Sequence, residues 1–248
     1  MLTSARNQYV QQQQIAALGL AQARRNATRG PRVVTGIIGR YQAAAALLAL
    51  ESAPLILAEQ GISAAAEGRV AVESVITGSA AIGMLGSVET DAAFDMLVLS
   101  LIADSGRTAQ SIDLATRPAV TGYVRSLNPP SCGRCAVLAG RVYRYSTGFQ
   151  RHPRCDCLMT PTNAAIGASL ATVPNLDQIH GLSVADRAAV SDGADLGQVV
   201  NVQRAAAGLR EGSSVMARGD RPTPAGIYRI ASDKTEALAL FRRFGYVL

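Results

Sequence analysis

Two short stretches decide how this chain is read: Ser131-Cys132-Gly133-Arg134-Cys135 and, further on, Phe149-Gln150-Arg151-His152-Pro153-Arg154-Cys155-Asp156-Cys157. They hold every cysteine of the 248-residue chain, as C-x2-C, a gap of 19 residues and C-x-C. Five of the ten prolines and three of the seven tyrosines also fall between Arg117 and Pro161, in short segments bounded by turn residues such as Asn128-Pro129-Pro130 and Thr147-Gly148. Arg141-Val142-Tyr143-Arg144-Tyr145 alternates with the period of two expected of a short strand. The stretch reads as a compact, non-helical cysteine module with a small β-ribbon.

Outward from the module the texture is helical. Aromatics make up only 4% of the chain, tryptophan is absent and alanine is abundant, which favours closely packed helices over a β-sandwich or barrel. Helical periodicity predicts a basic, polar-faced helix over Leu2 to Arg25 and a break at Asn26 to Pro31. A second helix follows from Val33 to Leu50 with an interruption near Pro54, and a further helical stretch from Leu55 to Val88. Thr90-Asp91 caps another helix that ends near Ser105-Gly106. Beyond Pro161, Ser183 caps a helix to Asp192, Asp195 starts one through Arg204, Thr223-Pro224 starts a third, and Asp233 to Phe244 stops at Gly245. The fold class expected is mainly α with a small β-containing cysteine module (α+β): a helical region over 1–116, the cysteine module over 117–161 and C-terminal helices over 162–248.

Charge is banded. Residues 1–49 carry +6, 50–116 carry −7, 117–161 carry +6 and 162–248 carry +1, and all basic residues except Lys234 are arginines. Arg24, Arg25, Arg29 and Arg32 near the first break, and Arg141 and Arg144 in the module, are candidate contacts to phosphates or an acidic protein face; a solvated helix face is the competing reading. No stretch reads as a membrane span: Ser74 to Val88 and Cys157 to Leu176 are too short, polar or broken. The apolar run Ile15 to Ala21, preceded by four glutamines, is a poor export signal.

Four cysteines within 26 residues place soft donors where one ion could be enclosed. Zinc takes four N or S donors at about 2.0–2.3 Å. Cys132, Cys135, Cys155, Cys157 and His152 offer five donors for four places, so either four thiolates or three thiolates with His152 would close a structural zinc site. Two disulfides, a redox C-x2-C pair and simple reduced thiols are the alternatives. A Cys/His catalytic pair is conceivable, but Gly-rich phosphate loops, H-E-x-x-H and G-x-S-x-G are absent, and the chain reads as a non-enzyme.

The string Cys132-x2-Cys135-x2-Leu138-x-Gly140-x2-Tyr143, followed by Phe149-x2-His152-Pro153-x-Cys155-x-Cys157-x3-Pro161, resembles the core of phage Mu F-like minor head proteins. The segment Asp192 to Asn201 is similar to the region after this core in versions from phages of actinobacteria, while Ala139 stands where many members have an aspartate. The resemblance covers about 30 residues, with 1–116 matching only the kind of helical region these proteins often carry. It implies a Mu F-like domain over 117–248 and a structural minor capsid protein of the virion. Such a protein associates with the portal protein or major capsid protein during head assembly in the bacterial cytoplasm, with a role toward packaged DNA in packaging or ejection. A zinc-knuckle nucleic-acid-binding protein, using Arg134, Arg141, Arg144, Arg151 and Arg154 with Tyr143 or Tyr145 as a stacking group, is the alternative; a toxin-like effector enzyme is a third reading.

Overall fold

In a computed structural model, the residues described are 1–128, 131, 133–152, 155, 157–172, 175–176, 179, 182–194, 199, 210–211 and 221–248. Three long helices form the frame: α1 (Thr3–Arg25), α2 (Pro31–Glu59) and α4 (Asp91–Thr116). Between α2 and α4 lie a 3-10 turn (Val72–Val75) and the short α3 (Ala80–Gly86). Gly30, at φ +93°, and Pro31 at the first helical position make the sharp turn from α1 into α2. Gln42 on α2 donates to the Leu101 carbonyl of α4, and Leu57 shares a cluster with Leu114, so α2 and α4 run parallel. Arg24 pairs with Asp95 at one end of α1, and Gln12 lies beside Gly106 further along, so α1 is antiparallel to α4.

The helix boundaries differ from expectation at three places. Helix α2 passes through Pro54, because Ala49, Ala53, Ile56 and Leu57 on its buried stripe are 0–1% exposed. Burying Ile56 and Leu57 contributes about 1.5–3 kcal/mol each, against about 3 kcal/mol lost to an interior proline. The stretch from Leu55 to Val88 is not one helix; α2 ends at Glu59, and Gly61 (φ +69°) and Gly78 (φ +53°) take conformations that a helix excludes. Helix α4 does not stop at Ser105-Gly106. A Cβ on Gly106 would sit 3.0 Å from the Ala45 carbonyl oxygen, so this glycine is where α4 approaches α2 closely. Helix α2 is also long and apolar enough to cross a membrane by length and composition, contrary to the sequence reading, with a mean hydropathy of 1.5 over its most apolar window. Val34, Ile37, Ile38, Ala45, Ala46 and Ala49 face the other helices.

Expected caps recur at Thr90, Ser183, Thr223 and Asp233, each side chain accepting from a backbone N–H in the first turn. The helix expected from Asp195 to Arg204 falls almost entirely outside the described residues. The module holds a three-stranded antiparallel sheet in the order β2-β1-β4: β1 (Gly122–Ser126) at the centre, β2 (Val142–Arg144) and β4 (Leu158–Thr162) at its sides. The short strand β3 (Gln150–Arg151) pairs instead with β5 (Arg210–Glu211). Pro161 is tolerated because β4 is an edge strand. Contrary to the expectation of a non-helical module, helix α5 (Gly133–Leu138) lies between β1 and β2; α6 (Ala164–Leu170) and α7 (Val184–Ser191) follow the sheet.

The C-terminal helices α8 (Pro224–Ile230) and α9 (Lys234–Arg243) return to the bundle. Ile227, Tyr228, Leu238, Phe241, Tyr246 and Val247 pack with Ala46, Ala109 and Ile112 in one cluster. Leu248 and Arg69 exchange backbone hydrogen bonds, and Lys234 donates to the carbonyls of Arg117 and Val120. The core then continues from Leu57 and Leu114 into the module through Val120, Tyr123 and Phe149 to the cysteines.

Candidate metal centre

Helix α5 and the segment leading into β4 bring the thiols together. Cys135 lies on α5, and Cys155 and Cys157 shortly precede β4, with Cys155 N–H donating to the His152 carbonyl. The spacing of one residue within C-x-C lets both sulfurs reach the same interior point. All three cysteines are buried, at 0%, 5% and 0% exposure, and their sulfurs lie within 4.8 Å of one another. The Cys135 and Cys155 sulfurs are 3.5 Å apart, and His152 Nε2 is 3.2 Å from the Cys135 sulfur. A tetrahedral site with metal–sulfur bonds of about 2.3 Å requires sulfurs about 3.8 Å apart, a separation that the Cys135–Cys155 pair approaches and that lies inside the 4.8 Å limit on the set, so the cluster fits a thiophilic divalent ion. Cys132, the fifth expected donor, lies outside the described residues.

Burial alone would keep thiols protonated; the surroundings reverse this for one of them. Hydrogen bonds from Cys135 and Cys157 hold Cys155 well below the ordinary thiol range, against burial and helped by Arg107 and Arg125. For Cys157 the hydrogen bond from Cys135 works downward, but its bond to Cys155, burial and the neighbouring charge outweigh it and push it up to about 12. Cys155 therefore carries the negative charge that a metal ligand needs, while Cys157 stays a thiol until an ion displaces its proton.

Two buried arginines face that charge. Arg125, on β1 and 2% exposed, places its guanidinium 3.6 Å from the Cys155 sulfur and 3.8 Å from that of Cys135. Burial disfavours its charge, yet Cys157, Cys155 and Cys135 together raise its pKa further. Its guanidinium carbon lies 4.4 Å from the centroid of the Phe149 ring, a cation–π contact that fixes its plane. Arg107 comes from α4 and is 4% exposed. Its Nε donates to the Cys157 carbonyl at 2.8 Å, and its remaining donors reach the Cys155 carbonyl and Asp104 Oδ1. Asp104 also pairs with Arg151, but burial outweighs both cations and holds its carboxyl above the usual range.

Apart from Arg154, which lies outside the described residues, and Arg134, the basic residues singled out in the sequence separate into two groups. Arg24, Arg25, Arg29, Arg32, Arg141 and Arg144 are exposed, and Arg24 is joined to Asp95. Arg151 is not a surface contact: it is drawn inward by Asp104, because an acid at the α4 interior must be compensated. Tyr143 stacks on Tyr123 with centroids 5.2 Å apart and donates to the Leu138 carbonyl, and Tyr145 meets Tyr228 edge-on at 5.7 Å. Both rings are therefore engaged within the protein. Asp104, Arg107 and Arg125 escaped the sequence reading, since an Asp-x2-Arg pair on a helix and an arginine in a strand look like ordinary surface residues. No protein-family model, no curated protein and no solved structure matches this chain.

Proposed function

We propose that the chain is a non-enzymatic structural protein of a phage head, of the Mu F-like minor capsid type, whose cysteine module is held together by a structural zinc ion. The observation that carries the metal is the buried cluster of Cys135, Cys155 and Cys157, with sulfurs mutually within 4.8 Å and His152 beside Cys135. Its ligands are those three thiolates with either Cys132 or His152. Burial of the sulfurs within the core supports a structural ion over a catalytic one, because a catalytic zinc keeps a coordination position open to substrate. What supports the virion reading is the resemblance of the Cys/His string; the exposed Arg25, Arg29 and Arg32 provide a surface for an acidic portal or capsid face.

Copurification with portal protein from assembled heads tests the role, and elemental analysis tests the metal. About one zinc per chain is expected, and a metal-free, well-folded protein removes the zinc reading. Retention of DNA in a gel shift at low salt, lost steeply as salt rises, would favour the nucleic-acid-binding alternative through Arg141 and Arg144.

A further inference from the structure

The two buried arginines do different work. Arg107 grips the backbone of the C-x-C loop through the carbonyls of Cys155 and Cys157 and so fixes where that loop lies against α4. Arg125 addresses the sulfurs themselves. Its guanidinium reaches two of them at once, at 3.6 and 3.8 Å, and it reaches them from β1, outside the cysteine string.

Resting on the proposal of a metal centre, we propose that Arg125 is a positioning residue of that centre: its guanidinium donates N–H···S hydrogen bonds to the Cys135 and Cys155 thiolates and holds both sulfurs in place for a divalent, thiophilic ion. Arginine suits this task and lysine does not. Both contacts come from one terminal nitrogen, Nη2, held by the rigid guanidinium plane that stacks on Phe149, whereas an ammonium is a strongly hydrated point charge on a flexible stem. Hydrogen bonds of this kind withdraw electron density from metal-bound sulfur, so they tune the metal as well as its ligands. They also balance the negative charge that a thiolate-rich site brings into a buried position. The site is therefore not a self-contained knuckle: part of its outer shell comes from β1 and part from α4.

Cobalt(II) reports on this in the full-length chain through its sulfur-to-metal charge-transfer band. Wild type should take up one cobalt per chain. In Arg125→Met, competition with a chelator should show metal affinity about 10–100-fold weaker, the usual effect of losing an outer-shell partner. The charge-transfer band should move to lower energy, because sulfur freed of its hydrogen bond gives up electron density more readily. Arg125→Lys should recover part of the affinity but not the band position. Variants that fold normally and keep both the wild-type band and the wild-type affinity overturn the role of Arg125 while leaving the metal centre standing. Wild type that takes up no cobalt overturns the metal centre, and this inference with it. Should the variants fail to fold, cadmium-substituted wild type decides: NMR scalar coupling between the Arg125 guanidinium protons and the cadmium nucleus is expected, and its absence in a well-resolved spectrum refutes the hydrogen bonds.

Discussion

Replacing Arg107 with methionine should destabilise the whole molecule, because this side chain joins the helical frame to the cysteine module. Methionine keeps the length and apolar stem but removes three interactions: Nε to the Cys157 carbonyl, a second donor to the Cys155 carbonyl and the pairing with Asp104. Each buried carbonyl loses a charge-assisted hydrogen bond with a net worth of about 1.5–3 kcal/mol. Asp104 keeps Arg151, so its loss falls short of the roughly 3–5 kcal/mol that follows when a buried ion is left alone. Relief from burying a guanidinium offsets part of the sum. A net destabilisation of about 3–5 kcal/mol remains, equivalent to a fall in Tm of roughly 6–20 °C for a chain of this size. Calorimetry of wild type and variant at equal metal loading measures it. The double variant with Asp104→Asn should be less damaged than the two single variants predict, since they belong to one network. A metal-loaded Arg107→Met protein within about 1 kcal/mol of wild type would refute the claim that this residue ties the two parts together.

Other expectations can be checked as directly. The Cys132→Ser/Cys135→Ser variant should lose bound zinc in elemental analysis, and chelation of wild type should raise hydrogen exchange in the sheet and in the adjoining part of α4. Gly19→Ala places a Cβ 2.5 Å from Ile102 Cδ1 and 2.9 Å from Tyr41 Cγ, so denaturant unfolding should show a loss of about 1–3 kcal/mol from overpacking between α1, α2 and α4. Gly122→Ala is the more severe change, with the Cβ 2.2 Å from the Tyr143 carbonyl oxygen, and should break the β1–β2 pairing seen as long-range NMR contacts. Glu59 accepts from the N–H groups of Thr3 and Ser4, which hold its carboxyl below the ordinary range. A depressed folded-state pKa means this stabilisation is present above the ordinary glutamate value and lost as pH falls through the lower one. The Thr3 and Ser4 amide resonances should therefore shift with a midpoint below that of a free glutamate, and remain flat in Glu59→Gln.

Much of this could be read in the chain because the signals were local. Clustering of Cys135, Cys155 and Cys157 announced a shared interior point, Gly30-Pro31 marked a break, and Ser183, Thr223-Pro224 and Asp233 marked helix starts through side chains acting within one turn. Strands β1 and β4 were missed for a physical reason: both are buried throughout or nearly so, and such strands lack the alternation that revealed β2. The polar face expected of α1 is in part buried. Gln8 and Gln12 are buried at 2% and 3% exposure, and the Gln12 side chain lies beside Gly106 of α4.

Composition and spacing by themselves determined that the chain is mainly helical with a small β-containing part, and which donors could hold a metal. Those are properties of single residues and of neighbours along the chain. Only tertiary structure decided that α2 continues through Pro54, that Gly106 is a contact and not a stop, and that the C-terminal helices return to the bundle. It alone placed Arg107 and Arg125 around the sulfurs. A buried arginine and an exposed one are the same letter in sequence; what separates them is whether other elements supply the anions and carbonyls that offset the loss of water, and those partners lie as far as 50 residues away in the chain.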